Sequence, residues 1–432
     1  MNQPQSSTSN LVPSSSALTI IGAGPIGLEA AAWAAARNWD VVIFEKNSIG
    51  HHIRQWGHIK FFSPFHMNHS NWGPHLLIKA FPKLILPGES SYLSGNEYVL
   101  RYLKPLSQLP ELSNKIFLGT HVIHIGKEDL PKNKYIAKDR RLDHPFRILF
   151  SQGNSKFIHH TNAVIDASGV YSSPQFMGSG NIPAPGELEA KKEIKTHIHS
   201  GIPDILGIDF LQFANRKTFL VGSGHSAATS LKDFQKLVQK ASQTKVIWLS
   251  RSRQKNPYDI FENDPLPDRD SLSRLGNSLA TKTPNWLKYL PGSTVQKITP
   301  LPQDNKNVFE ITVKTDLGYR EFKIDEIISN VGFMPDNSLY QQLQVHECYA
   351  TAGPIKLAAT LLEKSTDCLA QSTQDIETLK NPEPNFFILG NKSYGTNHSF
   401  LLSTGIKQIA TVMPYLSKTA AANNKSSMDE KI

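Results

Sequence analysis

Thiols are scarce in this chain. Only Cys348 and Cys368 occur among 432 residues; they stand 20 apart and form no CxxC. A closely spaced dithiol relay therefore has no candidate, and two ordinary thiols in a reducing cytosol is the plain reading, so a cytoplasmic location is expected. No apolar run approaches the roughly 18 residues that a membrane span requires. The first 16 residues, MNQPQSSTSNLVPSSS, lack the basic start and apolar stretch of a secretory signal. A net charge of +9 would suit a polyanion, yet no basic stripe with interleaved aromatics is present, so no nucleic-acid partner is expected. His51, His52 and His66 crowd one loop without ligand spacing or an acidic companion, so no metal is expected.

The strongest positive signal is Leu18 to Gly27, LTIIGAGPIG. An apolar run reads as a buried parallel strand and breaks into Gly22-x-Gly24-Pro25-Ile26-Gly27 before a helical stretch. Three glycines serve a tight turn, the approach of a pyrophosphate to the backbone, and close packing of helix on strand. The helix N-terminus then offers free N–H groups to phosphate oxygens. A second strand, from Asp40, ends in Glu45-Lys46, with Glu45 23 residues after Gly22, where an acid hydrogen-bonds an adenosine ribose.

The pattern recurs. Lys217–Val221 reads as a strand, Gly222-Ser-Gly224-His-Ser-Ala227 as a turn opening a helix, and Lys245–Ser250 as the next strand. Ala227 stands where the third glycine is expected, and Arg251 and Arg253 follow where the first unit has Glu45. A guanidinium is permanently charged and binds phosphate bidentately, so the second unit is expected to read a 2′-phosphate. The positive charge also fits a protein holding two anionic dinucleotides.

Ser94 to Lys104 reads as a capped helix, and a second helix is expected near Leu272–Leu279. Ile116–Leu118, His121–Ile125, Phe146–Phe150 and Lys156–Ile158 read as short antiparallel strands. Ala163–Asp166 reads as a separate strand closing on Gly169, and Val308–Val313 and Glu326–Gly332 as two more. The aromatic loop from Trp56 to Phe65 reads either as pocket wall or as plain core. The expected fold class is α/β, with two Rossmann-like dinucleotide-binding domains, one inserted in the other. The expected boundaries are a disordered tail over 1–16, a first domain over 17–203, the inserted one over 204–332, a return segment over 333–418 and a disordered tail over 419–432.

Two nested strand–turn–helix units, with a late strand ending in Leu389-Gly390-Asn391, resemble the flavoproteins with two dinucleotide-binding domains. By that resemblance the outer unit binds FAD and the inner one NADPH. Gly50 to Trp56, Pro185-Gly186 followed by His199-Ser200, and Asn397-His398 with Leu401-Leu402-Ser403 resemble segments of the flavin-containing monooxygenases and N-hydroxylases. The fingerprint is blurred by Ala184 and Pro185 where an aromatic is expected, and Asn391 replaces a usual aspartate. The resemblance implies insertion of one atom of O2 into a small organic substrate through a C4a-(hydro)peroxyflavin. His199, Ser200, Asn397 and His398 are then the catalytic candidates, with a structural histidine as the second reading of His199. The cofactor-binding set comprises both glycine turns with Pro25 and Ile26, then Glu45, Lys46, Trp56, Gly169, Arg251, Arg253, Gly390 and Asn391. Two alternatives stay open, a flavin-dependent reductase without oxygen transfer and a flavin-binding module without turnover. A homo-oligomeric state is left open too.

Overall fold

A computed structural model describes residues 12–302, 308–362 and 375–429. The fold is mixed α/β, and the chain divides into two compact units. One comprises 1–172 with 335–432, and the other, 173–334, interrupts it in sequence.

The first unit is built on a seven-stranded sheet in the order β3-β2-β1-β6-β5-β4, with β15 also on β6. Its strands are β1 (Ser15–Ile21), β2 (Val41–Phe44), β3 (Ile116–Phe117), β4 (Thr120–Lys127), β5 (Phe146–Gln152), β6 (Ser155–Asp166) and β15 (Phe386–Ile388). Strands β3, β2, β1, β6 and β15 run parallel, while β4, β5 and the first half of β6 form an antiparallel meander. Alternation decides the two faces. Leu18, Ile20, Val41 and Ile43 enter the core around the Pro25–Ala35 helix, and Ile21, Val42 and Phe44 enter the core beneath the meander. Both faces are covered, so these strands read as continuous apolar runs.

The second unit has a parallel five-stranded sheet, β10-β9-β8-β14-β7, and an antiparallel three-stranded sheet, β11-β12-β13. Its strands are β7 (Ile198–His199), β8 (Lys217–Val221), β9 (Lys245–Leu249), β10 (Leu287–Leu290), β11 (Thr294–Pro300), β12 (Phe309–Thr315), β13 (Gly318–Ile324) and β14 (Glu326–Ser329). The His225–Lys240 helix follows β8, and the Pro267–Thr281 helix packs against it.

Several boundaries differ from the sequence expectation. The second unit begins at Ser173 rather than near 204, because Met177 and Ala184 enter its core and β7 adds to its sheet. Residues 1–11 lie outside the described part, and Ser15 and Ser16, expected in the tail, open β1 by pairing with His160 and Thr161. Lys156–Ile158 and Ala163–Asp166 are one 12-residue strand, since its first half serves the meander and its second half the parallel sheet. The expected tail from 419 is helical to Asp429, as its alanine-rich start favours. The helix from Ser94 carries a reciprocal Ser94–Glu97 capping box and passes through a π-helical turn at Val99–Leu103.

Candidate dinucleotide sites

Strand β1 delivers the first glycine turn at the C-terminal edge of the parallel sheet. Gly22 has φ +100°, and a Cβ there would lie 2.8 Å from the Ala167 carbonyl oxygen. A Cβ on Gly27 would lie 1.9 Å from the Gly22 carbonyl oxygen, so the helix starts only because that position is bare. Gly24, the N-cap, faces open space instead, as a position approached by a ligand must.

The rest of the first site gathers around this turn. Glu45, at the end of β2, accepts from the Ala23 N–H at 2.8 Å and from the Asn47 N–H at 2.7 Å. Each carboxylate oxygen keeps acceptor capacity for a ribose hydroxyl. The Gly50 N–H donates to the Ala23 carbonyl at 3.0 Å, which brings the short His51–Gln55 helix to the turn. His51 is held below the ordinary histidine value by partial burial and then by neighbouring His52. Pro25 takes the first helical position, and Ile26 packs beneath Gly390 and Gly405, so its role is packing. Lys46 is exposed beside the turn. Trp56 stacks edge-on against Phe61 at 5.1 Å, and its buried Nε1 has no hydrogen-bond partner among the described residues.

The return segment closes this site. The Gly390 N–H donates to Gln408 Oε1 at 2.8 Å, and Gly390 has φ +75°. Asn391 follows it, half-buried. Beyond β6, Gly169 turns with φ +75°, and Asp166 accepts from the Ser168 backbone and hydroxyl. The Lys392 ammonium lies 2.6 Å from Asp166 Oδ2, with both groups fully buried. Asn397 accepts from the backbone and hydroxyl of Ser399, and His398 is exposed.

In the second unit, β8 delivers Gly222 with φ +133°, and Gly224 caps the following helix in open space. Ala227 is fully buried in that helix. Arg251 is exposed and reaches Asn181, and Arg253 lies 2.8 Å from Asp316. His199 is held by a carboxylate at the start of β14. Its imidazole meets Glu326 at 3.3 Å, and His197 and Gln212 meet the same buried carboxylate at 2.7 and 2.9 Å. Glu326 is in register with Thr218, three strand residues, or about 10 Å, before Val221 and the glycine turn. Through Ile328, His199 itself is in register with Leu220, two residues before Gly222, and Ser200 follows it in a bend.

Sequence reading missed the groups that hold these turns. Trp248 Nε1 donates to the Gly222 carbonyl at 2.7 Å, and the Tyr258 hydroxyl donates to the Gly224 carbonyl at 3.3 Å. Burial, then nearby Tyr289, pushes the Tyr258 phenol up, which keeps it a neutral donor. Glu29, inside the Pro25–Ala35 helix, is fully buried and accepts from the Ser70 backbone, the Ser70 hydroxyl and the Tyr102 hydroxyl. An acidic residue inside an otherwise apolar helix was the available signal for that contact. Among the described residues no three metal-ligating side chains come together, and no helix is long and apolar enough to cross a membrane.

Two nucleotide-type turns, each following a strand in a parallel part of its sheet, define a dinucleotide-dependent oxidoreductase fold. Residues 19–348 match the profile of the pyridine nucleotide-disulphide oxidoreductases, and the chain belongs to that family. No curated protein sequence matches it. Solved structures share the fold across almost the whole length. A bacillithiol disulfide reductase from Bacillus cereus is 18% identical with a TM-score of 0.64, over 94% of this chain and 99% of that one. An ornithine N-hydroxylase from Kutzneria sp. 744, with reduced FAD, NADP+ and L-ornithine, is 13% identical with a TM-score of 0.59, over 94% and 100%. A flavin-containing monooxygenase from Stenotrophomonas maltophilia is 14% identical with a TM-score of 0.55, over 94% and 100%.

Proposed function

We propose that the chain is an FAD-dependent, NADPH-using monooxygenase that transfers one atom of O2 to a small organic substrate. The residues fit the two cofactors. In the first unit Gly22 and Gly27 shape a cradle that a side chain would fill, Gly24 stays open, and the unpartnered Trp56 Nε1 offers a donor. Glu45 would take the FAD ribose, with Gly169, Gly390 and Asn391 along the pyrophosphate and ribityl chain. In the second unit Gly222 and Gly224 would take the NADPH pyrophosphate, and Arg251 with Arg253 the 2′-phosphate. FAD supplies the hydride-accepting and oxygen-activating chemistry when bound. The chain's part would be to bind it and to orient it.

One observation carries this reading: two dinucleotide turns coexist with a cysteine content that offers flavin no CxxC relay. Cys348 is buried, and Cys368 lies outside the described residues. Without such a relay, electrons would leave flavin for a bound substrate or acceptor. Oxygen transfer is favoured by the Asn397-His398 and Leu401–Ser403 segment, which resembles that of N-hydroxylases. A reductase passing electrons to a small disulfide or other acceptor is the second reading, favoured by the family and by the bacillithiol disulfide reductase likeness.

The test follows NADPH consumption by flavin-loaded protein in 18O2 with amines, sulfides and ketones. One labelled oxygen in product per NADPH establishes the first reading. NADPH oxidation that continues without oxygen, driven by a disulfide acceptor, establishes the second.

A further inference from the structure

The two glycine turns solve one steric problem in two ways. In the first, a methyl group at position 27 would collide with the Gly22 carbonyl oxygen at 1.9 Å. The second turn carries such a methyl group, on the fully buried Ala227. Its helix still opens normally, for the Ala227 and Ala228 N–H groups donate to the Gly224 carbonyl at 3.0 and 3.2 Å. Something must hold the Gly222 carbonyl clear of that methyl group.

The neighbouring strand supplies it. Phe44 of β2 pairs with Ile21, the last residue before Gly22, and Leu249 of β9 pairs with Val221, the last residue before Gly222. The residue preceding each partner is therefore equivalent: Ile43 in the first unit and Trp248 in the second. Ile43 has no donor. Trp248 donates its indole N–H to the Gly222 carbonyl at 2.7 Å, and Gly222 sits at φ +133° where Gly22 sits at +100°. Glycine on the helix goes with isoleucine on the strand, and alanine with tryptophan.

A second aromatic layer fixes the donor. Tyr289 packs on the Trp248 ring at 4.1 Å, and Tyr258 lies nearly parallel to it at 6.3 Å. Tyr258 comes from the polar stretch after Arg253. Its backbone is clamped by Asn277 at 3.0 and 2.9 Å, and a Cβ on Gly276 would strike its ring at 2.2 Å. Its hydroxyl holds the Gly224 carbonyl.

We propose that Trp248, assisted by Tyr258, is the positioning residue of the second glycine turn, compensating for the Ala227 methyl group. Each aromatic donor occupies a turn carbonyl that would otherwise repel a pyrophosphate, and leaves the turn's N–H groups aimed outward at the helix N-terminus. The proposal rests on the assignment of NADPH to the second unit.

The experiment measures NADPH dissociation constants, flavin content and thermal midpoints for flavin-loaded Trp248→Phe, Ala227→Gly and the double variant. Phenylalanine keeps a ring and removes the donor. Trp248→Phe should weaken NADPH binding about tenfold, the cost of one orphaned, partly buried carbonyl, with flavin content unchanged. In the double variant Ala227→Gly should restore most of the affinity and thermal midpoint lost in Trp248→Phe. A merely structural tryptophan would not be rescued by removing a methyl group from another element. Additive effects, or an unchanged affinity in Trp248→Phe, overturn the proposal alone. Should Trp248→Phe fail to fold, Tyr258→Phe removes one hydroxyl and should weaken NADPH severalfold, and no change would overturn the proposal. A parent protein that shows no saturable NADPH binding overturns the functional reading and this proposal with it.

Discussion

Lys392 and Asp166, 226 residues apart in sequence, meet at 2.6 Å with no solvent exposure to speak of. Asp166 ends β6 and Lys392 follows β15, so parallel pairing of Ile388 with Asp166 brings them together. The Ser168 hydroxyl completes the group, donating to Asp166 while lying 3.2 Å from the ammonium. Removing one buried charge strands the other. Lys392→Met should therefore lower unfolding stability by about 3–5 kcal/mol, measured by denaturant titration. Pairing it with Asp166→Leu should return a large part of that loss. A single variant as stable as the parent would show that the pair contributes nothing.

The Gly27 position gives a sharp steric test. Gly27→Ala places a methyl group 1.9 Å from the Gly22 carbonyl oxygen, backbone against helix, with no flexible atom to yield. Overpacking of this sort costs about 1–3 kcal/mol, and the displaced carbonyl spoils the pyrophosphate cradle. The purified variant should carry well under half of the parent's flavin, read from the visible absorbance per protein. A full complement of flavin would move the FAD site elsewhere.

Much of this was legible in the sequence because it is local. Glycine turns, a strand ending in Glu45, and a second turn ending near Arg251 are each set by spacing along a few dozen residues. The partners of those turns are not local. Trp248 looked like one apolar strand residue among four, and Tyr258 carried no local signal, since register and stacking alone aim their donors at Gly222 and Gly224. His199 shows the same limit. Its place in a His-Ser pair made it a catalytic candidate with a structural alternative, and its contact with the buried Glu326 is announced by nothing in the spacing of 199 and 326.

Glu29 should make stability fall with rising pH. Burial raises its carboxyl above the ordinary value of 4.5, against the lowering effect of the Ser70 and Tyr102 hydrogen bonds. Above 4.5 the unfolded chain has released this proton while the folded chain keeps it, so the folded state binds more protons and loses stability as pH climbs toward its own value. Glu29→Gln keeps the shape, removes the proton and should flatten that part of the pH–stability profile. The measurement is denaturant unfolding of both proteins from pH 4.5 upward, and parallel curves would refute the assignment.

Arg251 and Arg253 should contribute unequally to cofactor choice, although spacing alone suggests both. The Arg253 guanidinium is 2.8 Å from Asp316, so a 2′-phosphate must compete with a carboxylate for it. Among the described residues Arg251 reaches only the neutral side chain of Asn181, with no carboxylate partner for its charge there. A charge-assisted, bidentate contact to phosphate outweighs an exposed ion pair, which contributes about 0–1 kcal/mol. Arg251→Ala should therefore raise the Michaelis constant for NADPH about 10- to 100-fold, on the order of 1.4–2.8 kcal/mol, and leave that for NADH within twofold. Arg253→Ala should raise the NADPH constant only a few-fold. Added salt should shrink the difference between NADPH and NADH in the parent protein, since the discriminating charge is exposed. Equal losses with both cofactors would mean that Arg251 supports the loop rather than reading the phosphate.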